Sequence, residues 1–308
     1  MTIIINRGKI LMNKHIFWDN FTVTLARLFI GKNKFFSESI ESPSLREHID
    51  NIELDVPEIN GTGIYEVKAR TLAGDLDPAF KIVRWKGDEH PLIIFHHGSN
   101  ERPFQSGRFA KNAFNRIFLH TNYAPDVNLI ALRAPFHNGS TLHYQRSVTK
   151  LTNFAAMLSV SVKVAEYLIS YFKQKVNGTV ALAGISLGGW VTNLHRAYFN
   201  TADVYIPIMA GADVGDVFIR SVYGRLAGRR VREQPDSINK TLNFAGEFEQ
   251  VKDDNVYPLL ARYDQYIRYD VQKSCFGNRD IAVLENGHIT GALNSDALRE
   301  HIKKVMKT

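Results

Sequence analysis

The stretch Thr179-Val180-Ala181-Leu182-Ala183-Gly184-Ile185-Ser186-Leu187-Gly188-Gly189-Trp190-Val191 decides the architecture of this chain. Its first five residues are mostly apolar, as expected of a short buried strand. Beyond the glycines, Trp190, Val191 and Leu194 lie on one side of a helix expected over 187–199. Between the two elements stands Gly-x-Ser-x-Gly. On a strand-to-helix turn this pattern has a mechanical meaning: the serine adopts a strained backbone, and the glycines leave room for strand and helix to approach. The turn lifts the hydroxyl out of the sheet edge and aims the next backbone N–H at a reacting carbonyl. The five-residue string by itself recurs by chance, and a glycine-rich turn with an idle serine is the alternative. The strand before it and the helix after it favour a nucleophile.

Working outward, apolar runs alternate with helical patterns. Strands are expected at 63–70, 80–85, 91–96, 127–132, 179–183, 204–209, 256–263 and 281–284, with a turn-rich stretch at 73–78. Helical segments fall at about 109–119 and over 148–175, where Leu151, Phe154, Leu158, Val162, Ala165 and Ile169 share one face. Residues 1–60 contribute no strand to this reading. Such alternation specifies an α/β chain with a mostly parallel central sheet and helices on both faces. The interval 215–253 breaks the alternation between two core strands and reads as a small helical cap or lid over the carboxyl edge of the sheet, where ligands bind in open α/β folds. The division expected is an N-terminal extension over 1–60 with an amphipathic helix, then one domain over 61–308 carrying the cap.

Composition is consistent with this. The chain has 308 residues, 44% hydrophobic and 22% charged, which excludes fibrous and wholly disordered classes. Its single cysteine, Cys275, excludes an internal disulfide and any zinc site of the CxxC type, and is expected to be buried or half-buried in a helix. The formal charge of +7 raises the question of nucleic-acid or membrane partners. The excess base is dispersed among the cap, the N-terminal helix region and the last helix, so no nucleic-acid partner is expected. No G-x-G-x-x-G follows a strand and no G-x-x-x-x-G-K-[ST] occurs, so no nucleotide cofactor is expected. The pair His96-His97 could suggest a metal, but no metal is expected there.

From Gly63 to the carboxyl end the chain resembles the α/β-hydrolase superfamily, on the strength of Gly-Ile-Ser-Leu-Gly and its context. In that superfamily an acid and then a histidine follow the serine, each on a loop after a strand. The resemblance therefore implies Asp264, after the run Val256-Tyr257-Pro258-Leu259-Leu260-Ala261-Arg262-Tyr263, as the acid that orients the histidine. A helix amino-cap is a compatible second role for it, and Asp213, after the preceding strand, is the alternative acid. His288, in Glu285-Asn286-Gly287-His288-Ile289-Thr290-Gly291 ahead of a final helix over 292–305, is implied as the base. The segment His96-His97-Gly98-Ser99-Asn100 matches the superfamily's oxyanion loop: a tight turn at Gly98, with backbone N–H donors from Ser99 and Leu187. The activity implied is a serine hydrolase cleaving the ester, or a related acyl bond, of a small-molecule acyl substrate through an acyl-enzyme on Ser186. A non-catalytic binding protein of the same fold, or a thioesterase or peptidase, is the alternative.

Substrate signals are sparse. Phe136 and His137, after the strand 127–132, are candidate pocket residues, although packing is the preferred reading. Arg220, Arg225, Arg229, Arg230 and Arg232 would suit an anionic substrate if they faced the site; a solvated helical face is preferred. Over 17–30, Phe17, Phe21, Leu25 and Leu28 form an apolar stripe, with Arg27, Lys32 and Lys34 at its carboxyl end. The stripe is expected to pack on the main domain, with peripheral membrane contact as the alternative. No run of 18 apolar residues occurs and polar residues interrupt the N-terminal apolar region, so neither a spanning helix nor a secretory signal is expected, and cytoplasmic residence is the default.

Overall fold

A computed structural model describes residues 13–107, 110, 112–119 and 126–307. An eight-stranded sheet runs through the centre. Its strands in chain order are Gly63–Glu66 (β1), Ala79–Arg84 (β2), Leu92–His96 (β3), Asn128–Arg133 (β4), Val180–Ile185 (β5), Val204–Ile208 (β6), Leu259–Ala261 (β7) and Ala282–Leu284 (β8). In space they lie in the order β1-β2-β4-β3-β5-β6-β7-β8. Only β2 opposes the others; from β4 to β8 every neighbouring pair is parallel. Strands β3, β4 and β5 are buried along their whole length, which is why they read as continuous apolar runs rather than alternating ones.

The expected strand over 63–70 divides. Gly63–Glu66 joins the main sheet, whereas Lys68–Thr71 pairs with Gly74–Leu76 and Glu53–Asp55 in a separate three-stranded sheet. A strand therefore lies within the turn-rich stretch 73–78, and another within residues 1–60. Both are three residues long, too short to show an alternating pattern.

Four helices position the site: Lys14–Ile30 (α1), Leu151–Lys173 (α2), Leu187–Tyr198 (α3) and Ser295–Met306 (α4). The predicted helical segment at 109–119 lies partly outside the described residues; its described part ends in a π-helical turn, Asn115–Leu119. All six apolar residues predicted to share a face of α2 are buried. Helix α2 has the length and hydropathy of a membrane span, but 72% of its most apolar window is buried inside the protein. The final helix, expected from 292, begins later: His288–Ala292 forms a separate short helix and α4 begins beyond Asn294, whose side chain caps it.

Helix α1 packs on the domain, but through the face opposite to the one expected. Asp19, Val23 and Ile30 are buried, whereas Phe17, Phe21, Leu25 and Leu28 of the apolar stripe are exposed. The insertion between β6 and β7 is helical throughout, with elements at Val214–Ile219, Val222–Leu226, Arg229–Glu233, Pro235–Leu242 and Ala245–Gln250. Its first two elements approach the sheet edge together with α1, while Ala245–Gln250 packs against α3. Cys275 ends the helix Tyr269–Cys275, half-buried, with its thiol donating to Val271 O at 3.3 Å.

Candidate active site

Ser186 stands between β5 and α3 with φ 55° and ψ −111°. This left-handed conformation is costly for a residue with a side chain. The surrounding glycines are sterically required. A Cβ on Gly184 would strike the Gly188 backbone, one on Gly188 would strike the His96 carbonyl, and one on Gly189 would come within 2.6 Å of the Ala210 methyl. Strand, helix and neighbouring strand thus converge where only hydrogen fits, and the serine is carried on the crest of the turn. Its own N–H is held by Ile208 O at 2.9 Å.

The structure brings Ser186, Asp264 and His288 into one chain of hydrogen bonds. Asp264 Oδ2 accepts from His288 Nδ1 at 2.7 Å, and His288 Nε2 lies 3.0 Å from Ser186 Oγ. Asp264 divides its labour between its two oxygens: Oδ1 accepts from the N–H groups of Tyr266 and Ile267 at 2.8 and 2.9 Å, closing the turn after β7. The same carboxylate thus closes the turn and meets the histidine. Asp213 instead caps Val214–Ile219 through Asp216 N–H and lies 3.7 Å from Arg220. His288 is 6% exposed. Burial opposes its protonation, but the Asp264 charge and hydrogen bond, with the charge of Asp19, outweigh burial and raise its pKa above the ordinary imidazole value.

Asp19, from α1, is one of the polar residues that interrupt the N-terminal apolar run in the sequence. It is buried beneath the histidine loop. Its Oδ2 accepts from His288 N–H at 2.8 Å and Gln265 N–H at 3.0 Å, and its Oδ1 from Ile289 N–H at 3.0 Å. One carboxylate therefore ties the acid loop to the base loop. Burial raises its pKa against the opposing effects of His288 and these N–H groups. Two more contacts from α1 fix the same loops: His15 with Thr290 Oγ1 at 2.8 Å, and Thr22 with the Tyr266 hydroxyl at 2.6 Å. The Tyr266 ring in turn stacks on His288 at 4.8 Å between centroids. The available signal was an acid within α1 with no lysine or arginine three or four positions away to pair with it.

Of the two residues assigned as oxyanion donors, Leu187 opens α3 directly after Ser186, and Ser99 lines the cavity above it. Gly98 opens the turn, its carbonyl accepting from Glu101 N–H at 3.4 Å, and the positive φ falls on Asn100, at 60°, a conformation that asparagine tolerates. Both histidines of the pair point inward. His97 Nδ1–H donates to Gly98 O at 2.6 Å while its Nε2 accepts from Ala134 N–H at 3.1 Å, bracing the loop against the end of β4. Glu101 carries the bracing further. It accepts from Gly98 N–H at 3.3 Å and Ala113 N–H at 3.0 Å, and burial pushes its carboxyl up to about 7.

A cavity of about 360 Å³ opens over Ser186 and His288. Its walls are largely apolar, with Phe35, Phe154, Trp190, Phe218 and Leu226 among them, and Thr22, Ala26 and Ile30 of α1 close one side. Phe136 and His137 do not line it: His137 is buried with its ring 4.5 Å from those of His97 and Tyr144, and Phe136 meets His143. None of the five cap arginines lines it either, and all five are exposed. Arg220 pairs instead with Asp216, and Arg229 with Glu233.

Solved structures share this fold. Acetyl xylan esterase 1 from Thermoanaerobacterium sp. JW/SL YS485 superposes with a TM-score of 0.52 at 16% identity, over 86% of this chain and 96% of that one. The chain has the α/β-hydrolase fold. Pyrococcus horikoshii acylaminoacyl peptidase, which superposes with a TM-score of 0.50 at 13% identity, shares it over 80% of this chain and 41% of the peptidase. The sequence matches no family model and no curated protein. Within the α/β-hydrolase fold, the closure of the cavity by α1 is carried by residues that precede β1.

Proposed function

We propose that the protein is a serine hydrolase that cleaves carboxylic esters of small or medium uncharged acyl groups. Ser186 Oγ attacks the carbonyl carbon while His288 Nε2 takes its proton, and Asp264 stabilises the imidazolium through Nδ1. The backbone N–H groups of Ser99 and Leu187 receive the oxyanion; one such donor is worth about 3 kcal/mol in the transition state. The C–O bond then breaks, His288 gives the proton to the departing alcohol, and an acyl-Ser186 ester remains. Water, deprotonated by His288, attacks this ester. The acid departs and the proton returns to Ser186.

The observation that carries this reading is the unbroken chain Asp264–His288–Ser186 at the floor of an apolar cavity. The preference for an uncharged acyl group rests on the walls, which place aromatic and aliphatic side chains and, among the described residues, no arginine or lysine beside the serine. The names of the two structural neighbours, an esterase and a peptidase, agree with acyl transfer. A panel of p-nitrophenyl esters of increasing chain length tests it. Turnover of short and medium esters, falling for long ones, is expected. A folded protein inert to the whole panel would leave the binding-protein alternative.

A further inference from the structure

Eleven large apolar side chains are exposed among the described residues, and six of them stand on α1: Phe17, Trp18, Phe21, Leu25, Leu28 and Phe29. At 100° per residue they occupy one side of the helix, opposite Asp19, Val23 and Ile30. Leu28 and Phe29 are 76% and 78% exposed. The rings of Phe17, Trp18 and Phe21 contact one another at 5.7 to 5.9 Å on the open surface. A contiguous apolar face on an otherwise packed protein marks an interaction site.

We propose that this outer face of α1 docks on the surface of an anionic lipid bilayer, with the helix lying in the plane of the interface. Charge selects that occupant. Over residues 1–34 the sequence holds six cations, Arg7, Lys9, Lys14, Arg27, Lys32 and Lys34, against one acid, Asp19. That acid is buried on the opposite face and engaged with the histidine loop. Lys14 and Lys32 are exposed at either end of the apolar face, and Arg27 is exposed in the last turn. Apolar and aromatic side chains flanked by base are the features of a helix that lies on anionic lipid, and tryptophan suits the headgroup level. A second copy would bring an equally cationic face, and like charges disfavour that pairing. The inner face of the same helix supplies Thr22, Ala26 and Ile30 to the cavity wall, so docking sets the cavity one helix diameter, about 10 Å, from the lipid.

Flotation of the full chain with vesicles tests this, and it needs no catalysis. Vesicles of phosphatidylcholine containing phosphatidylglycerol are expected to carry the protein, with at least about tenfold weaker binding to phosphatidylcholine alone or in high salt. The double substitution Leu28→Ser, Phe29→Ser removes the two most exposed side chains. It is expected to reduce vesicle binding about tenfold or more while leaving hydrolysis of a water-soluble ester unchanged, since neither residue lines the cavity. Trp18 fluorescence is expected to shift to the blue on vesicles. Absence of flotation, binding indifferent to anionic lipid, or equal binding by the double variant overturns the proposal. A dimer in sedimentation that the same double variant dissolves, without flotation, assigns the face to a second copy instead. A Ser186→Ala protein that floats but does not turn over separates this surface from the hydrolase reading.

Discussion

Asp19 Oδ2 accepts the backbone N–H of His288 at 2.8 Å across 269 residues of chain. The same carboxylate holds Gln265, next to Asp264, and Ile289. The first described helix is therefore part of the site's geometry, because the loops bearing acid and base share one acceptor. Substituting Asp19→Asn keeps the size but removes the charge and one acceptor oxygen. With buried N–H groups left unsatisfied, a loss of about 2 kcal/mol in stability is expected. Because the Asp19 charge raises the pKa of His288, its removal lowers that pKa. The acid limb of kcat/KM, which reports His288 losing its proton, is then expected above pH 6.5 in the parent and at lower pH in the variant. A limb that does not move would deny Asp19 its electrostatic role.

Acid stability follows from a second group of histidines. Burial lowers the pKa of His96 to about 3 and of His137 to about 4, and takes His97 well below the ordinary value. In the unfolded chain they bind protons near 6.5. Stability is therefore present in full above pH 6.5 and lost as pH falls towards 4, since protonation favours the unfolded state. With about 1.4 kcal/mol per proton per pH unit, the three together impose a slope of about 4 kcal/mol per pH unit. Thermal melts between pH 7.5 and 5 should show a steep fall in Tm; a flat profile would mean that these rings are not buried as neutral groups.

Gly188→Ala tests the elbow. A single methyl would meet the His96 carbonyl, so Ser186, β3 and α3 cannot all keep their places. A destabilisation of about 3 kcal/mol and loss of esterase activity in the surviving folded fraction are expected, from denaturant melts and assays in parallel. Unchanged stability would show that the strand-to-helix approach is looser than described.

How much of this was legible in sequence depended on whether a residue's neighbours in the chain were also its physical partners. The Ser186 elbow was readable because its steric demand is local: the strand, three glycines and the helix are contiguous. Asp264 and His288 were singled out by the resemblance, which implies an acid and then a histidine, each on a loop after a strand, and both loops follow short strands here, Leu259–Ala261 and Ala282–Leu284. Asp19 was not, because its partners lie 246 to 270 residues away. Apolar periodicity identified which side of α1 is greasy, but not which side the protein covers. There, buried hydrogen bonds from Asp19 and the packing of Val23 and Ile30 outweighed the larger stripe. For His137 the preferred reading, packing, is the one observed: its ring packs on His97 and Tyr144.

Acyl-chain selection is expected to follow the cavity walls. Leu226 lines the cavity and is 3% exposed. Leu226→Ala should cost about 3 kcal/mol of stability and shift the optimum of the p-nitrophenyl ester panel towards longer chains. An unchanged chain-length profile would place the acyl group elsewhere in the cavity.

The most direct measurement is labelling by a fluorophosphonate, which reacts preferentially with an activated serine, followed by mass mapping of the adduct. In the parent protein the label is expected on Ser186 alone, with labelling abolished in Ser186→Ala together with an ester-hydrolysis loss on the order of 10⁴-fold or more. Labelling that persists at another residue in that variant, or a folded parent protein that takes no label, would contradict the assignment of Ser186 as the nucleophile.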